Sequence, residues 1–436
     1  MSKDKVSDFR YNTGASRVPW AAVGENYYVD DILEVVRFLC QGEGEQYDSA
    51  FKNIRGGVSE LSKYGHPPGK LSLGDNVLSL EEKVDNYLGI KNSTFLTNAT
   101  AGFEIAGKYV DLREGDEVII PAITFIATMS YPLACGAKVV LADVDPLTLN
   151  IDPKDVAKKI TKKTKMIIAV HMGGWPADMN AIMKIAKEND IIVLEDAAHA
   201  FGAVYKGKKI GTLGDFASFS FHEVKNITSF GEGGIVTSTL PFNKELKKAR
   251  FLGLDISKKI KNWLYDVTAL KGKYRYFAPN NYSSTEIQAL GLLKQLERIE
   301  NIIETRRENA EHLTKKFREN SAIIPQLLDT EDIKSTYHLY LLQIDPEKAG
   351  GNIQVLKRKL DEKGITNIPH FAPLYKFEIL RQLGYDTESM EKGCPVAEDL
   401  FNNRFTHLPI YGLSEGQIDY LADSVLDSVK EMQSGN

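Results

Sequence analysis

At 436 residues the chain is too long for one small core and has room for one large and one smaller domain. Its hydrophobic fraction of 43% and charged fraction of 26% are ordinary for a globular protein, and a formal net charge of -5 leaves no general basic footprint for nucleic acid. No apolar run reaches membrane-spanning length, Met1-Ser2-Lys3-Asp4-Lys5 lacks a signal-peptide core, and the three scattered cysteines (Cys40, Cys135, Cys394) suit buried thiols better than a disulfide framework or a zinc site. The expectation is a cytoplasmic protein with no metal, no nucleic-acid partner and no membrane segment.

Residues 1–75 read as an N-terminal segment. Within it Gln41-Gly42-Glu43-Gly44-Glu45, Arg55-Gly56-Gly57 and His66-Pro67-Pro68-Gly69 punctuate residues 41–75, which predict a long ordered loop or arm. A solvated linker fits this stretch, and the interleaved Tyr47, Phe51 and Tyr64 fit a packed lid or subunit-exchanged arm equally well. From about 80 to 240, strand-like and helical patterns alternate at the spacing of a crossover-connected parallel sheet. Val118 to Ile120, Val139 to Ala142, Met166 to Val170 and Ile191 to Leu194 read as buried strands, and Ala177 to Asn189 as a connecting helix. Polar or small residues follow several of them, namely Pro121-Ala122, Asp143, His171 and Glu195-Asp196, where the ligand crevice of an open α/β sheet lies. Ser284 to Phe317 predicts a long helix or a pair of helices, with Ile287, Leu290, Leu293, Leu296 and Ile299 as a spine between domains. The expected fold class is α/β: a mostly parallel central sheet flanked by helices over residues 76–300, and a smaller α+β domain over 301–436.

The segment Phe219-Ser220-Phe221-His222-Glu223-Val224-Lys225-Asn226, followed by Gly231-Glu232-Gly233-Gly234, sets a lysine just past an apolar strand with a glycine-rich turn after it. That arrangement suits a lysine that meets an aldehyde in a protected pocket. Pyridoxal phosphate (PLP) asks a protein for an amine, an anion opposite its ring nitrogen, a stacking partner and a phosphate cradle. Lys225 supplies the amine and a proton-transfer group. Asp196, ending a strand, supplies the anion, although alone such an Asp is more often a helix cap. His199 falls three residues later, placed for the ring hydroxyl or for the core. Thr100 and Ala101, in Asn98-Ala99-Thr100-Ala101-Gly102, open a helix whose amides suit a phosphate, a pattern that Thr capping the helix explains equally well, and Ser220 offers a second hydroxyl. Phe125 is the candidate for stacking on the ring.

In this order the motifs resemble the DegT-like sugar aminotransferases, a branch of the fold-type I PLP enzymes. The matching pieces are Asn98 to Gly102, Pro121 to Thr128, His171 to Met179, Glu195 to His199, Ser218 to Gly234, Asn281-Tyr282 with Glu286 to Ala289, His338 to Tyr340, and His370 to Tyr375, over about residues 76–436. The resemblance implies Lys225 as the Schiff-base lysine, Asp196 at the ring nitrogen, and Thr100, Ala101 and Ser220 at the phosphate. It also implies a homodimer with shared active sites, in which Asn281 reaches the phosphate from the neighbouring subunit. By the same resemblance an amino group passes from glutamate or glutamine to a keto sugar, usually nucleotide-linked, with ping-pong kinetics. His370, Tyr375 and Lys376 lie in the segment that approaches the acceptor in relatives. Ser283 stands where many relatives carry an arginine. A sugar dehydratase, an aldol-type enzyme or an amino-aromatic-forming enzyme on the same scaffold is the alternative, with the dehydratase disfavoured because position 225 is lysine.

Overall fold

Short apolar runs, each buried on both faces, build the sheet at the centre of a computed structural model that describes residues 27–64, 71–255, 267–366 and 371–435. The strands are β1 (Thr94–Leu96), β2 (Glu117–Pro121), β3 (Lys138–Ala142), β4 (Thr164–Val170) and β5 (Ile192–Asp196). A small hairpin of β6 (Val204–Tyr205) and β7 (Lys208–Lys209) precedes β8 (Phe216–Ser220) and β9 (Gly234–Ser238). Seven of them form one sheet in the order β1-β9-β8-β5-β4-β2-β3. β3, β2, β4, β5 and β8 run parallel, and β9 is antiparallel to both β8 and β1.

Side chains alternate along each strand, so each strand feeds two cores. Val118, Ile120, Met166, Ile168 and Leu194 enter one, packed with Phe103, Ile105 and Ala106. Ile119, Ile167, Ala169, Val193 and Phe219 enter the other, packed with Leu80, Val84, Ile182 and Leu292. A third core gathers Leu313, Phe317, Leu342, Leu356, Leu421 and Val425.

The chain divides into two compact units, one ending at Gly74 and one beginning at Asp75. The first holds α1 (Val29–Leu39) and α2 (Glu45–Tyr64), tied by Arg55 to Asp30 at 2.7 Å and by the Arg37 guanidinium 4.5 Å from the centre of the Phe51 ring. The expectation of a loop or arm over 41–75 is therefore corrected: Glu45 to Tyr64 is a 20-residue helix. Tyr47, Phe51, Ile54, Val58 and Leu61 recur at 4-3-4-3 spacing, one helical stripe. Gly56-Gly57 masks that stripe, although an exposed helix tolerates each glycine at a cost of about 1 kcal/mol. Residues 65–70 lie outside the described residues. Cys40, expected to be buried, is exposed because it caps the end of α1, whereas Cys394 is buried and Cys135 half-buried.

In the second unit α3 (Asp75–Leu88) packs beside α9 (Glu286–Leu296), and α10 (Ile299–Phe317) follows after a break at Glu297-Arg298; the helices between are α4 (Ala99–Tyr109), α5 (Ala127–Ala134), α6 (Pro153–Lys159), α7 (Met179–Glu188) and α8 (Leu246–Arg250). The pair of helices expected over 284–317 is thus present, and α10 contributes Ile303 to the second core and Leu313 to the third. The expected spine is only partly buried. Leu293, Leu296 and Ile299 are inside, while Ile287 and Leu290 are 59% and 47% exposed. Further on, β10 (Tyr340–Ile344) pairs antiparallel with β11 (Phe405–Leu408), and the helix Glu415–Ser434 packs on α10. No helix among the described residues is long and apolar enough to cross a membrane.

One buried ion pair fastens the first strand. Arg250 (0% exposed) reaches Glu81 (1% exposed) on α3, and the same carboxylate accepts the Phe95 amide of β1 at 3.0 Å. Removing one partner strands the other charge in a dry site, at a cost of about 3–5 kcal/mol. The urea midpoint of Glu81→Gln is therefore expected to fall steeply with an unchanged denaturant slope; a midpoint equal to that of the parent protein would show that the pair contributes nothing net.

Candidate active site

Glu195 and Asp196 are adjacent at the carboxyl end of β5, and the strand pleat sends them to opposite faces. Glu195 is fully engaged in holding the backbone: its oxygens accept the amides of Gly211 (3.1 Å), Leu213 (3.0 Å) and Gly214 (2.7 Å) and face His171 Nε2 at 3.1 Å. His171 Nδ1 accepts the Ala177 amide, so its proton sits on Nε2 and is donated to Glu195.

Asp196 is 5% exposed and has fewer partners. Its Oδ2 accepts the Thr128 hydroxyl at 2.8 Å, and its Oδ1 accepts the Ala198 amide at 3.3 Å. Because Thr128 gives its proton to Asp196, Thr124 donates to Thr128 across the 2.9 Å contact between them. Burial pushes the Asp196 carboxyl above the usual range, opposed by the Thr128 hydroxyl, the Ala198 amide and the positive charge of Lys225.

Lys225 stands in the turn between β8 and β9, held by its own amide to the His222 carbonyl at 2.9 Å. The turn is closed by Phe221 N–H to the Gly233 carbonyl (2.8 Å) and Glu223 N–H to the Gly231 carbonyl (2.9 Å), with Gly231 at φ +114°. Its ammonium has no hydrogen-bond partner among the described residues. Burial lowers its pKa to about 8, and the Asp196 carboxylate opposes that shift. It lines a cavity of about 590 Å³ with Asn226, Thr228, Arg298, Arg306 and Tyr411.

Around this pair the structure gathers several predicted residues. Asn98, rather than Thr100, caps α4, accepting the Ala101 amide at 3.0 Å. Thr100 and Ala101 therefore occupy the first turn of a helix whose N-terminus abuts β9. A Cβ on Gly234 would lie 2.3 Å from the Asn98 carbonyl carbon, and Gly234 is also the β-sheet partner of Ser220. Ser220 is half-buried, with its hydroxyl accepting the His222 amide at 3.3 Å. His199 is buried, and its ring stacks on His338 at 4.4 Å and leans on Phe371 at 5.6 Å. Phe125 is 55% exposed, so it is no core side chain. The Ile123–Pro373 bridge brings the 371–376 segment beside it.

Other predicted residues are engaged elsewhere. Tyr375 is 2% exposed and its hydroxyl contacts Glu398 at 2.5 Å, while the Lys376 ammonium meets the same carboxylate at 2.8 Å. Both side chains are committed to Glu398. Asn281 is exposed on a strand-like stretch beside Phe251, and His370 lies outside the described residues. Thr128, Asn226 and His338 lie within the matching motifs but were given no role there, and Arg306, which lines the Lys225 cavity, was not singled out. The Thr124/Thr128 spacing was the available signal for the first. His338 Nδ1 meets Asn226 Oδ1 at 2.8 Å, and burial, with Lys225, Arg306 and His407 adding to it, holds His338 far below its ordinary pKa.

The family model described as the DegT/DnrJ/EryC1/StrS aminotransferase family matches residues 65–426. The spore coat polysaccharide biosynthesis protein SpsC of Bacillus subtilis is 33% identical over 374 residues, covering 83% of this chain and 92% of that protein. GDP-perosamine synthase of Caulobacter vibrioides is 32% identical over 365 residues, covering 82% and 91%. Among solved structures, the PMP form of Spr1654 from Streptococcus pneumoniae, assigned as a sugar aminotransferase, superposes with a TM-score of 0.74 at 27% identity, covering 86% of this chain and 94% of that one. The chain belongs to the DegT/DnrJ/EryC1/StrS aminotransferase family and is a PLP-dependent aminotransferase of fold type I.

The electrostatics of Lys225 make a measurable statement. In cofactor-free protein, labelling of Lys225 by an amine-reactive reagent is expected to reach half its maximal rate near pH 8. Because the Asp196 carboxylate favours the protonated amine, Asp196→Asn is expected to move that midpoint lower still; an unmoved or higher midpoint, read by peptide mass analysis, would contradict the coupling.

Proposed function

We propose that this enzyme moves an amino group from glutamate or glutamine to a keto sugar, nucleotide-linked, in a two-stage ping-pong exchange. The observation that carries the reading is the buried carboxylate of Asp196 acting on a half-buried lysine of lowered pKa at the carboxyl end of a mostly parallel sheet. The sugar acceptor is supported by the likeness to GDP-perosamine synthase and Spr1654. We further propose a cytoplasmic homodimer with active sites shared between subunits.

The donor set suits PLP. Asp196 retains acceptor capacity beyond Thr128 and Ala198, Lys225 has an amine with no hydrogen-bond partner among the described residues, and the first turn of α4 lies against the Ser220–Gly234 pair. Lys225 would hold the cofactor, Asp196 its ring nitrogen, and Thr100, Ala101 and Ser220 its phosphate. His199 would approach the ring hydroxyl, Phe125 would stack on the ring, and Asn281 of the partner subunit would reach the phosphate. When bound, PLP supplies an aldehyde to receive the amino group and a pyridine ring to accept the electron pair left on the donor carbon.

The protein's part is proton placement. At pH 7 a lysine of pKa about 8 is neutral in roughly one molecule in ten, against about one in three thousand for an ordinary lysine. Lys225 is therefore poised to take a proton from the donor's α-carbon and return it in the second stage. Asp196 would hold a proton on the cofactor's ring nitrogen, and Thr128 and Ala198 fix its two oxygens.

The test begins with the cofactor's absorbance band. Adding L-glutamate or L-glutamine is expected to convert it to the amino form, and a nucleotide-linked keto sugar to restore it with gain of an amino group in the product mass; no response to either donor would overturn the reading. Lys225→Ala is expected to lose transamination by roughly 1,000-fold or more, and appreciable retained turnover would remove its role. Asp196→Asn is expected to keep the cofactor but fall about 100-fold in rate; a normal rate in that variant excludes Asp196 from the chemistry.

A further inference from the structure

One short segment, Thr336 to Leu339, crosses the carboxyl ends of three neighbouring parallel strands, β4, β5 and β8. After β4 it meets the Gly173-Gly174 turn. There the Thr336 amide donates to the Gly174 carbonyl at 3.3 Å, and the Leu339 amide to the Gly173 carbonyl at 3.2 Å. Gly174 is at φ +95° and a Cβ on it would collide with the Thr336 hydroxyl, so the approach needs glycine. After β5 the buried Thr336 hydroxyl donates to the His199 carbonyl at 2.5 Å. After β8 the Thr336 carbonyl accepts Asn226 Nδ2 at 3.0 Å, and Asn226 Oδ1 meets His338 Nδ1 at 2.8 Å. The loop after β5 carries Asp196 and His199, and the turn after β8 carries Lys225.

The lysine turn has few other fastenings. The Val224 and Lys225 amides stay within it, on the His222 ring and carbonyl. From Val224 to Ile227, the hydrogen bonds among the described residues that reach beyond the turn are both made by the Asn226 side chain. Glu223 and Val224, just before the lysine, are exposed. A carbonyl oxygen only accepts, so the end of the Asn226 amide on Thr336 is the NH₂ and the end on His338 is the oxygen. His338 Nδ1 therefore carries a proton and donates it. The same imidazole stacks on His199 at 4.4 Å, so one ring joins the loop after β5 to the turn after β8.

We propose that His338 and Asn226 are positioning residues, whose hydrogen bond fixes the Lys225 turn against the Asp196–His199 loop so that the amine returns to one place in both stages of transfer. The inference rests on the reading of Lys225 as the proton-transfer group. A misplacement of about 1 Å at such a group can cost about 100-fold in rate, and a four-residue turn without an outside tie leaves that much freedom.

Two substitutions of one ring test this. Asparagine can set an N–H near the place of Nδ1, whereas glutamine sets its amide near the place of Nε2. His338→Asn therefore keeps the donor to Asn226, and His338→Gln loses it. In cofactor-loaded protein, His338→Gln and Asn226→Ala are each expected to lower kcat about 30-fold, with the donor KM changed by less than about threefold. His338→Asn is expected to retain most of the rate. Because the two residues share one bond, the double variant His338→Gln/Asn226→Ala is expected to lose no more than either single variant. In cofactor-free protein a loosened turn admits water to the amine. The pH of half-maximal Lys225 labelling is then expected to rise by about one unit in His338→Gln and Asn226→Ala, and to stay near 8 in His338→Asn. If His338→Gln does not fold, Asn226→Ala carries the test. An asparagine variant as slow as the glutamine variant would assign the effect to Nε2 or to the ring stack and overturn the inference. Additive losses in the double variant, or labelling midpoints that do not move, would overturn it as well. A wild-type protein that responds to neither glutamate nor glutamine would sink the donor reading, and the labelling midpoints would still decide this one.

Discussion

A carboxylate must stay charged at the bottom of a dry crevice, and much of this fold is arranged around that requirement. Asp196 is 5% exposed, and burial alone drives it toward the neutral form. Opposing that drive are a hydroxyl held by a second hydroxyl, a backbone amide, and the positive charge of Lys225. The neighbouring Glu195 meets the same desolvation with a different solution, three backbone amides and a histidine. Two consecutive carboxylates thus divide the work: one pins the 211–214 turn beneath the sheet and the other is left with capacity for a ligand. The strand pleat alone makes that division possible.

The lysine opposite depends on backbone close to backbone. β8 and β9 run antiparallel, and the turn between them holds Lys225 over the carboxyl end of β5. On β9, Gly234 lies against the Asn98 carbonyl, and on α4 a Cβ at Gly102 would lie 2.3 Å from the Ser218 hydroxyl oxygen. Any side chain at either position would push the helix N-terminus away from Ser220. The glycine-rich run after the lysine therefore serves two ends of the crevice, closing the turn at Gly231 and admitting the helix at Gly234.

These dependencies explain what could be read from the sequence. The parallel strands were legible because a strand buried on both faces leaves an unbroken apolar run, and Asp196 and Lys225 because polar residues directly follow such runs. The N-terminal helix from Glu45 was not, since two glycines interrupt an apolar stripe that only the 4-3-4-3 spacing betrays. Arg306 was not, because an arginine beside Arg307 in a charged helix reads as a solvated face until tertiary packing covers one of the two. Arg307 reaches Glu304 and Asp329, whereas Arg306 is turned inward to backbone carbonyls. Tyr375 and Lys376 looked available as isolated polar groups, and Glu398, more than twenty residues later, engages both.

The serine at position 283 bears on how an anion is held where many relatives carry an arginine. Its amide and its hydroxyl both meet one atom of Asn281, at 3.0 Å and 2.6 Å. An amide N–H must donate, so the Asn281 atom that receives it is the carbonyl oxygen, and the Asn281 NH₂ is turned to the other side. Ser283 therefore contributes orientation in place of charge, because its two donors fix the carbonyl end of the asparagine. A cation at 283 would add long-range attraction for any anion near the crevice, while an oriented amide acts only at hydrogen-bond range. In the Lys225 cavity the buried Arg306 and the half-buried Lys225 lie where a charge counts for more than on an open surface, whereas Arg298 is exposed.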